Sequence, residues 1–103
     1  MNDKLKPAIF QVKTDERLVA FAERHRMPGF YFDTNGMYCL CLGRYLLTVF
    51  VNDMTGNVEV AVDSISSEGM YDMNVEWETP ANEQELYDTV CRFVSKYGGK
   101  CER

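Results

Sequence analysis

The residues that could carry out chemistry in this chain of 103 residues are few and lie far apart in sequence. The single histidine, His25, follows an apolar helical stripe, and a half-buried ring with a structural partner is its usual role there. Glu76 and Glu78 form a carboxylate pair, but alternation with apolar residues predicts that both lie on the solvated face of a strand. The chain has no nucleophile elbow, phosphate loop or dinucleotide motif. We therefore expect that the protein is not an enzyme and uses no cofactor.

The cysteines are the side chains best suited to bind a metal: Cys39, Cys41, Cys91 and Cys101. One residue separates Cys39 from Cys41, so both sulfurs point to the same face of a strand, whereas zinc knuckles and redox motifs use a spacing of two. The sequence leaves open a zinc site from this pair with His25 or Cys101, and a small-ligand pocket lined by the pair. Buried, reduced thiols are the favoured interpretation, and we predict no metal site.

Charge is distributed unevenly along this chain of net charge −5. Between Arg44 and Arg92 there is no Lys or Arg, and this stretch contains ten carboxylates. Such a surface repels phosphate groups, so nucleic acid and anionic membranes are not expected as partners, while a basic protein would be attracted. A solvated surface that keeps a small domain soluble is the other interpretation. The predicted acidic face comprises Asp53, Glu59, Asp63, Glu68, Asp72, Glu76 and Glu78.

Length and composition indicate one folded domain, since 46% of the residues are apolar and 26% are charged. No apolar run approaches the roughly 20 residues that span a bilayer. The first residues lead into no apolar signal region, so we expect a cytoplasmic protein. We assign residues 1–103 to a single small domain with tails at 1–13 and 98–103.

Hydrophobic periodicity predicts the element order α-β-β-β-β-β-α. A first helix over residues 15–26 is predicted after a Thr14 cap, and a last helix is predicted to begin at Thr79-Pro80 and to end at Gly98-Gly99. Residues 64–72 are predicted as a loop. The expected fold is α+β, an antiparallel five-stranded sheet flanked by N- and C-terminal helices. The predicted strands are residues 30–33, 37–42, 45–51, 58–63 and 73–78.

The second and third predicted strands are apolar on both faces. Leu40 and Leu42 alternate with the two cysteines of this strand, and Leu46 and Phe50 alternate with further aliphatic residues. A sheet with one solvated face does not show this pattern. Either the helices lie on opposite faces, or they share one face and another chain covers the second. We favour the second arrangement, because an exposed apolar patch marks a protein interface.

Three short motifs resemble the class I type III secretion chaperones, which are small acidic bacterial proteins that hold effectors for export. Residues 18–28 are similar to the opening helix of that family and its exit at a Gly-Leu-Pro-like step. Residues 32–42 look like its Phe-Asp-x-x-Gly-x-Cys-x-Leu hairpin, and 47–51 and 56–60 look like the next two strands. Residues 75–80, followed by 86–94, are similar to the last strand and closing helix, so the resemblance spans residues 15–97.

The resemblance implies a chaperone that needs no ATP and binds an extended segment of a secreted client along apolar grooves and by added strand pairing. Each residue that it suggests for contact is also a candidate for the core. That family usually has a further helix, which commonly builds its homodimer, where this chain has only residues 64–72, so dimerisation stays open. The suggested contact residues are Leu18, Phe21, Phe30, Phe32, Leu40, Leu42, Leu46 and Phe50.

An immunity protein or phage-encoded inhibitor is the alternative function. Such proteins present acidic residues to the basic cleft of a toxin or nuclease, and the base-free span of residues 45–91 supports this hypothesis. It predicts one-to-one binding of a folded toxin that is lost in high salt. The chaperone hypothesis predicts an extended client and mainly apolar contacts.

Overall fold

The computed structural model of the protein describes residues 14–65 and 71–98. The five strands form one antiparallel sheet in which neighbours along the chain are also neighbours in space. The predicted α+β fold, with five strands between two helices, is confirmed. The elements are α1 (Glu16–His25), β1 (Tyr31–Phe32), β2 (Tyr38–Leu42), β3 (Tyr45–Val51), β4 (Val58–Ile65), β5 (Tyr71–Glu78) and α2 (Glu83–Gly98).

Both helices begin at a polar side chain that accepts a backbone hydrogen bond. Asp15, and not the predicted Thr14, caps α1, because its carboxylate accepts from the Arg17 N–H at 2.8 Å. At α2 the side-chain oxygen of Asn82 accepts from the Glu85 N–H at 2.9 Å. Helix α2 therefore begins three residues later than predicted, and it includes the first residue of the predicted C-terminal tail.

The β1–β2 turn forms at the predicted Asn-Gly signal. One carboxylate oxygen of Asp33 accepts from the backbone N–H groups of Asn35 and Met37, at 2.9 Å each. Gly36 has a φ of 77°, and a Cβ atom added there would lie 3.2 Å from the Thr14 hydroxyl oxygen. Glycine therefore provides both the backbone conformation and the space at this turn.

The β4–β5 hairpin is longer than the sequence predicted. Residues 64–65 extend β4 and residues 71–72 begin β5, although all four were predicted as loop. The register between the two strands shifts between Val62 and Ser64. The rest of the predicted loop, residues 66–70, lies outside the described residues.

Both helices pack on the same face of the sheet. In the register, Tyr38 lies opposite Val49 and Val49 opposite Val60, so these side chains share one face, which we call the helix face. The opposite side is called the open face. The shared helix face was the favoured arrangement, and cover of the open face by another chain stays a prediction. The core comprises Leu18, Phe21, Tyr38, Leu47, Val49, Val60, Val62, Leu86, Val90 and Phe93.

An ionic contact joins the two helices at one end. The Arg24 guanidinium donates to both carboxylate oxygens of Glu83, at 2.8 and 2.6 Å, and this pairing lowers the Glu83 pKa to about 2. His25 lies 3.0 Å from the same carboxylate, and its ring stacks on Tyr87 with centroids 4.4 Å apart. His25 thus has structural partners between the helices.

Glu76 and Glu78 lie on the helix face of β5 and not on the opposite face that alternation predicted, although Glu78 remains exposed to solvent there and Glu76 is half-buried. They are opposite the core residues of β4 in the register. Glu76 accepts from the Lys96 ammonium at 2.7 Å and from the Tyr97 hydroxyl at 2.6 Å, and these bonds lower its pKa. Glu78 pairs with Arg92 at 3.2 Å. These glutamates turn toward the helices because β5 is an edge strand and the charged flank of α2, which lies above it, provides their partners.

Candidate functional site

The open face of the sheet carries exposed apolar side chains on its two edge strands, whereas Cys39, Thr48 and Ala61 between them are buried. Both described helices pack on the other face, and Tyr31, Val75 and Trp77 are between 43% and 47% exposed. Leu46 and Phe50 lie between them on β3 and are half-buried. The open face comprises Tyr31, Cys39, Cys41, Leu46, Thr48, Phe50, Glu59, Ala61, Asp63, Val75 and Trp77.

Trp77 is the largest side chain of the open face, and its orientation is fixed. It lies opposite Ala61 in the register, and its ring centroid is 6.5 Å from that of Phe50. The indole N–H donates to the Glu59 carboxylate at 2.9 Å. Because its polar end is bonded inside the protein, Trp77 presents an apolar ring to the outside.

Glu59 is a buried carboxylate on the open face, with only 4% of its surface exposed. Besides Trp77, the Asn52 side-chain amide donates to it at 3.0 Å and the Thr79 hydroxyl at 3.2 Å. Among residues 14–65 and 71–98, no Lys or Arg pairs with it. A buried carboxylate costs several kcal/mol unless its lone pairs are satisfied, and here three neutral donors satisfy them.

The seven residues of the predicted acidic face do not form one surface. Glu59 is buried, and Glu76 and Glu78 are paired with α2, so these three correct the prediction. Asp53 is exposed in the β3–β4 loop and Asp63 is half-buried on the open face. Glu68 lies outside the described residues, and of Asp72 only its strand position opposite Ser64 is described. The strands themselves contain no Lys or Arg, so no strand position places a cation on the open face.

The eight predicted contact residues also separate into groups. Leu18 and Phe21 are 1% exposed and belong to the core, so neither offers a surface. Phe30, Leu40 and Leu42 are half-buried against that core, and Phe32 is 40% exposed next to Tyr38 on the helix face. Leu46 and Phe50 alone among the eight lie on the open face.

The three exposed apolar residues of the open face, Tyr31, Val75 and Trp77, were not among the predicted contact residues. For Val75 and Trp77, the sequence contains a pattern that indicates their orientation. Arg92 and Lys96 are four residues apart and share one flank of α2, where they can pair with the carboxylates that alternate with Val75 and Trp77. That pairing turns the apolar residues of β5 to the other face.

The thiols of β2 share the open face, as their spacing predicted. Cys39 is 1% exposed, and burial raises its pKa to about 12, so its thiol is a weak nucleophile. The Cys41 sulfur lies 3.9 Å from the Tyr31 hydroxyl, a contact that raises the tyrosine pKa to about 12. His25 lies on the helix face and therefore cannot join this pair around a zinc ion. Cys101 lies outside the described residues.

An open cleft of about 630 Å³ adjoins the open face at Phe50. It lies between the start of α1, the β1–β2 turn and the end of β3, and Arg17, Met37 and Asp53 contribute to its walls.

In the described part of the chain, no group of three metal-ligating side chains occurs and no helix has the length and apolar character to cross a membrane. No protein-family model, curated protein or solved structure gives a significant match to this chain.

Proposed function

We propose that the protein is a non-enzymatic binding module that holds an extended segment of a client protein on its open face, as a small acidic secretion chaperone of the cytoplasm does. The observation that carries the proposal is the exposure of Tyr31, Val75 and Trp77 on one sheet face while both helices cover the other. Exposed apolar and aromatic side chains that share one surface are typical of protein-binding sites.

The position of β5 favours an extended client. This strand of eight residues is the last in the sheet, and within the described part of the chain nothing pairs with its outer side. It contains neither proline nor lysine, which commonly protect an edge from strand addition, and its charged residues Glu76 and Glu78 are paired with α2. A client strand paired there would place alternate side chains next to Val75 and Trp77 and so would extend the open face.

Binding of a synthetic peptide tests the proposal. The probe is a fluorescein-labelled peptide of alternating valine and serine, and the control probe carries proline in place of the serines, which removes the N–H groups that strand pairing needs. Fluorescence anisotropy with the full chain is expected to show saturable binding of the first peptide alone. Phe50→Ser and Val75→Ser should each weaken binding about tenfold or more, which is the effect of removing an interface anchor.

Met54→Ser provides the matched control, because Met54 is 92% exposed in the loop before β4 and is not part of the sheet. Its variant should bind as the unchanged protein does. If the control loses as much affinity as Phe50→Ser, or if the proline peptide binds equally well, the open face is not a site for an extended client.

The inhibitor function is supported by one specific observation, the absence of Lys and Arg from all five strands. An inhibitor of a basic nuclease would bind the folded enzyme one to one, with a steep loss of affinity as salt is added. The chaperone function predicts a shallow salt dependence, because its contacts are mainly apolar. The affinities for an extended apolar peptide and for a folded basic nuclease, each measured at two ionic strengths, distinguish the two functions.

A further inference from the structure

The hydrogen bond between Glu59 and Trp77 changes what the tryptophan ring can bind. The indole N–H donates to a carboxylate at 2.9 Å. An anionic acceptor at this position pushes electron density into the ring and strengthens the negative potential over its faces. Tryptophan is already the aromatic side chain that attracts cations best. The pair therefore favours a cation above the ring.

The ring is accessible to such a cation and the carboxylate is not. Trp77 is 47% exposed, whereas Glu59 is 4% exposed and has its oxygens occupied by three donors. An incoming basic side chain would meet the ring face and would not form a direct ion pair with Glu59. Across residues 14–65 and 71–98, the cations that lie over rings are Arg92 and Lys96, both on the helix side of the sheet.

We propose that Trp77, positioned and polarised by Glu59, is the binding platform for an arginine or lysine side chain of the client. The inference rests on the proposed function, and it adds that the bound segment carries a basic residue between apolar ones. Charge complementarity supports it, since no strand contributes a cation and the Glu59 carboxylate lies on the open face. Leu46 and Phe50 provide the apolar contacts for the neighbouring residues of the segment.

Glu59→Gln removes the negative charge of this side chain and keeps its size and shape. The amide oxygen of glutamine can still accept from Trp77 and Asn52, and its NH₂ group can donate to the Thr79 hydroxyl, which also accepts. The variant is therefore expected to hold the tryptophan ring in place while it removes the negative charge. Asp53→Asn is the matched control, because it removes one charge from an exposed loop position outside the sheet.

The experiment compares two labelled peptides, Val-Ser-Val-Ser-Arg-Ser-Val-Ser-Val, in which arginine and the valines share one face of an extended strand, and the same sequence with citrulline in place of arginine. Citrulline keeps the size and polarity of arginine but carries no charge. The full chain is expected to bind the arginine peptide about two- to fivefold more tightly, which corresponds to one cation–π contact at an exposed site. Glu59→Gln should lose most of this preference and Asp53→Asn should keep it; for each variant the readout is the ratio of its dissociation constants for the two peptides, so a general loss of affinity does not count as a lost preference.

Each other outcome has a definite meaning. Equal binding of the two peptides overturns the platform and leaves the proposed function intact, whereas failure of both to bind overturns both proposals. A preference that Asp53→Asn reduces as much as Glu59→Gln reflects the overall acidity, and it also overturns the platform. Sedimentation of the free protein as a dimer that shields Trp77 from a fluorescence quencher would assign the open face to a second copy of the chain.

Discussion

Replacement of Glu59 by alanine is expected to destabilise the fold, although the residue lies outside the hydrophobic core. The substitution removes the acceptor of hydrogen bonds from Trp77, Asn52 and Thr79, which are 2.9, 3.0 and 3.2 Å long. A hydrogen bond to a charged group contributes about 1.5–3 kcal/mol to stability. Two effects reduce the sum of the three bonds: water can reach the freed donors at this surface, and the cost of burying a carboxylate disappears. We expect a net loss of about 2–4 kcal/mol in the free energy of unfolding.

Urea unfolding measures this loss directly, because Trp77 is the single tryptophan and reports on the site itself. Tryptophan fluorescence and far-ultraviolet circular dichroism should give the same midpoint if unfolding is two-state. Glu59→Gln should cost about 1 kcal/mol or less, since it retains a partner for each donor. Asp53→Ala should stay within about 0.5 kcal/mol, as expected for an exposed position.

Two results would refute the reasoning about Glu59. If Glu59→Ala unfolds with the free energy of the unchanged protein, the desolvation cost equals the gain from the three hydrogen bonds, and the carboxylate does not stabilise the site. If Glu59→Gln lowers the free energy of unfolding as much as Glu59→Ala does, glutamine does not reproduce the three hydrogen bonds of the carboxylate. In that case its effect on peptide binding reports lost shape and not lost charge.

Three further predictions concern the core, the helix contact and the thiols. Phe93→Ala should lower the free energy of unfolding in urea by about 3–5 kcal/mol, because Phe93 is completely buried between α2 and the sheet, and a loss below about 1 kcal/mol would contradict this packing. The Glu83 pKa is lowered from 4.5 to about 2, so its contribution to stability is present above pH 4.5 and disappears as the pH falls through 2. Thermal unfolding should therefore separate Glu83→Gln from the unchanged protein at neutral pH and bring the two together at pH 2, and a gap that persists there would contradict the prediction. Iodoacetamide at neutral pH should modify Cys41 before Cys39, as followed by peptide mass spectrometry, and equal rates would show that Cys39 is not sealed from solvent.

The order of the elements was predictable because local signals encode it. The apolar stripe of α2 needs only residues at helical spacing, and the β1–β2 turn needs only Asp33 and the Asn-Gly pair. The helix boundaries were less predictable. Thr14 and Asp15 are adjacent residues that both favour a cap, and only the backbone geometry selects the aspartate.

The orientation of β5 could not be predicted from its alternation. A rule that turns apolar residues inward places Val75 and Trp77 against the helices, and the structure has the opposite arrangement. Strand alternation identifies two faces but does not say which one meets the core. The choice depends on which flank of α2 lies above the strand. That flank provides the Lys96 ammonium and the Tyr97 hydroxyl, which are partners for a carboxylate.

The site around Glu59 was predictable in part. Glu59 alternates with Val58 and Val60 in the sequence, a pattern that is typical of a side chain on the face away from the core, and the register places it there. Its burial depends on donors that lie 7, 18 and 20 residues away in sequence, and no local pattern brings these together. The prediction therefore placed the side chain on the correct face but assigned it to the solvated acidic surface.

Stability alone does not explain the composition of the open face. The core on the helix face is complete, with ten buried residues from both helices and three strands. The three hydrogen bonds to Glu59 stabilise the site, but an exposed tryptophan ring adds little to the stability of a folded domain. The sheet nevertheless carries both groups on one face, bonded to each other and next to Phe50. The proposed binding role would account for the combination, because a carboxylate that fixes the ring before a partner arrives reduces the entropy lost on binding.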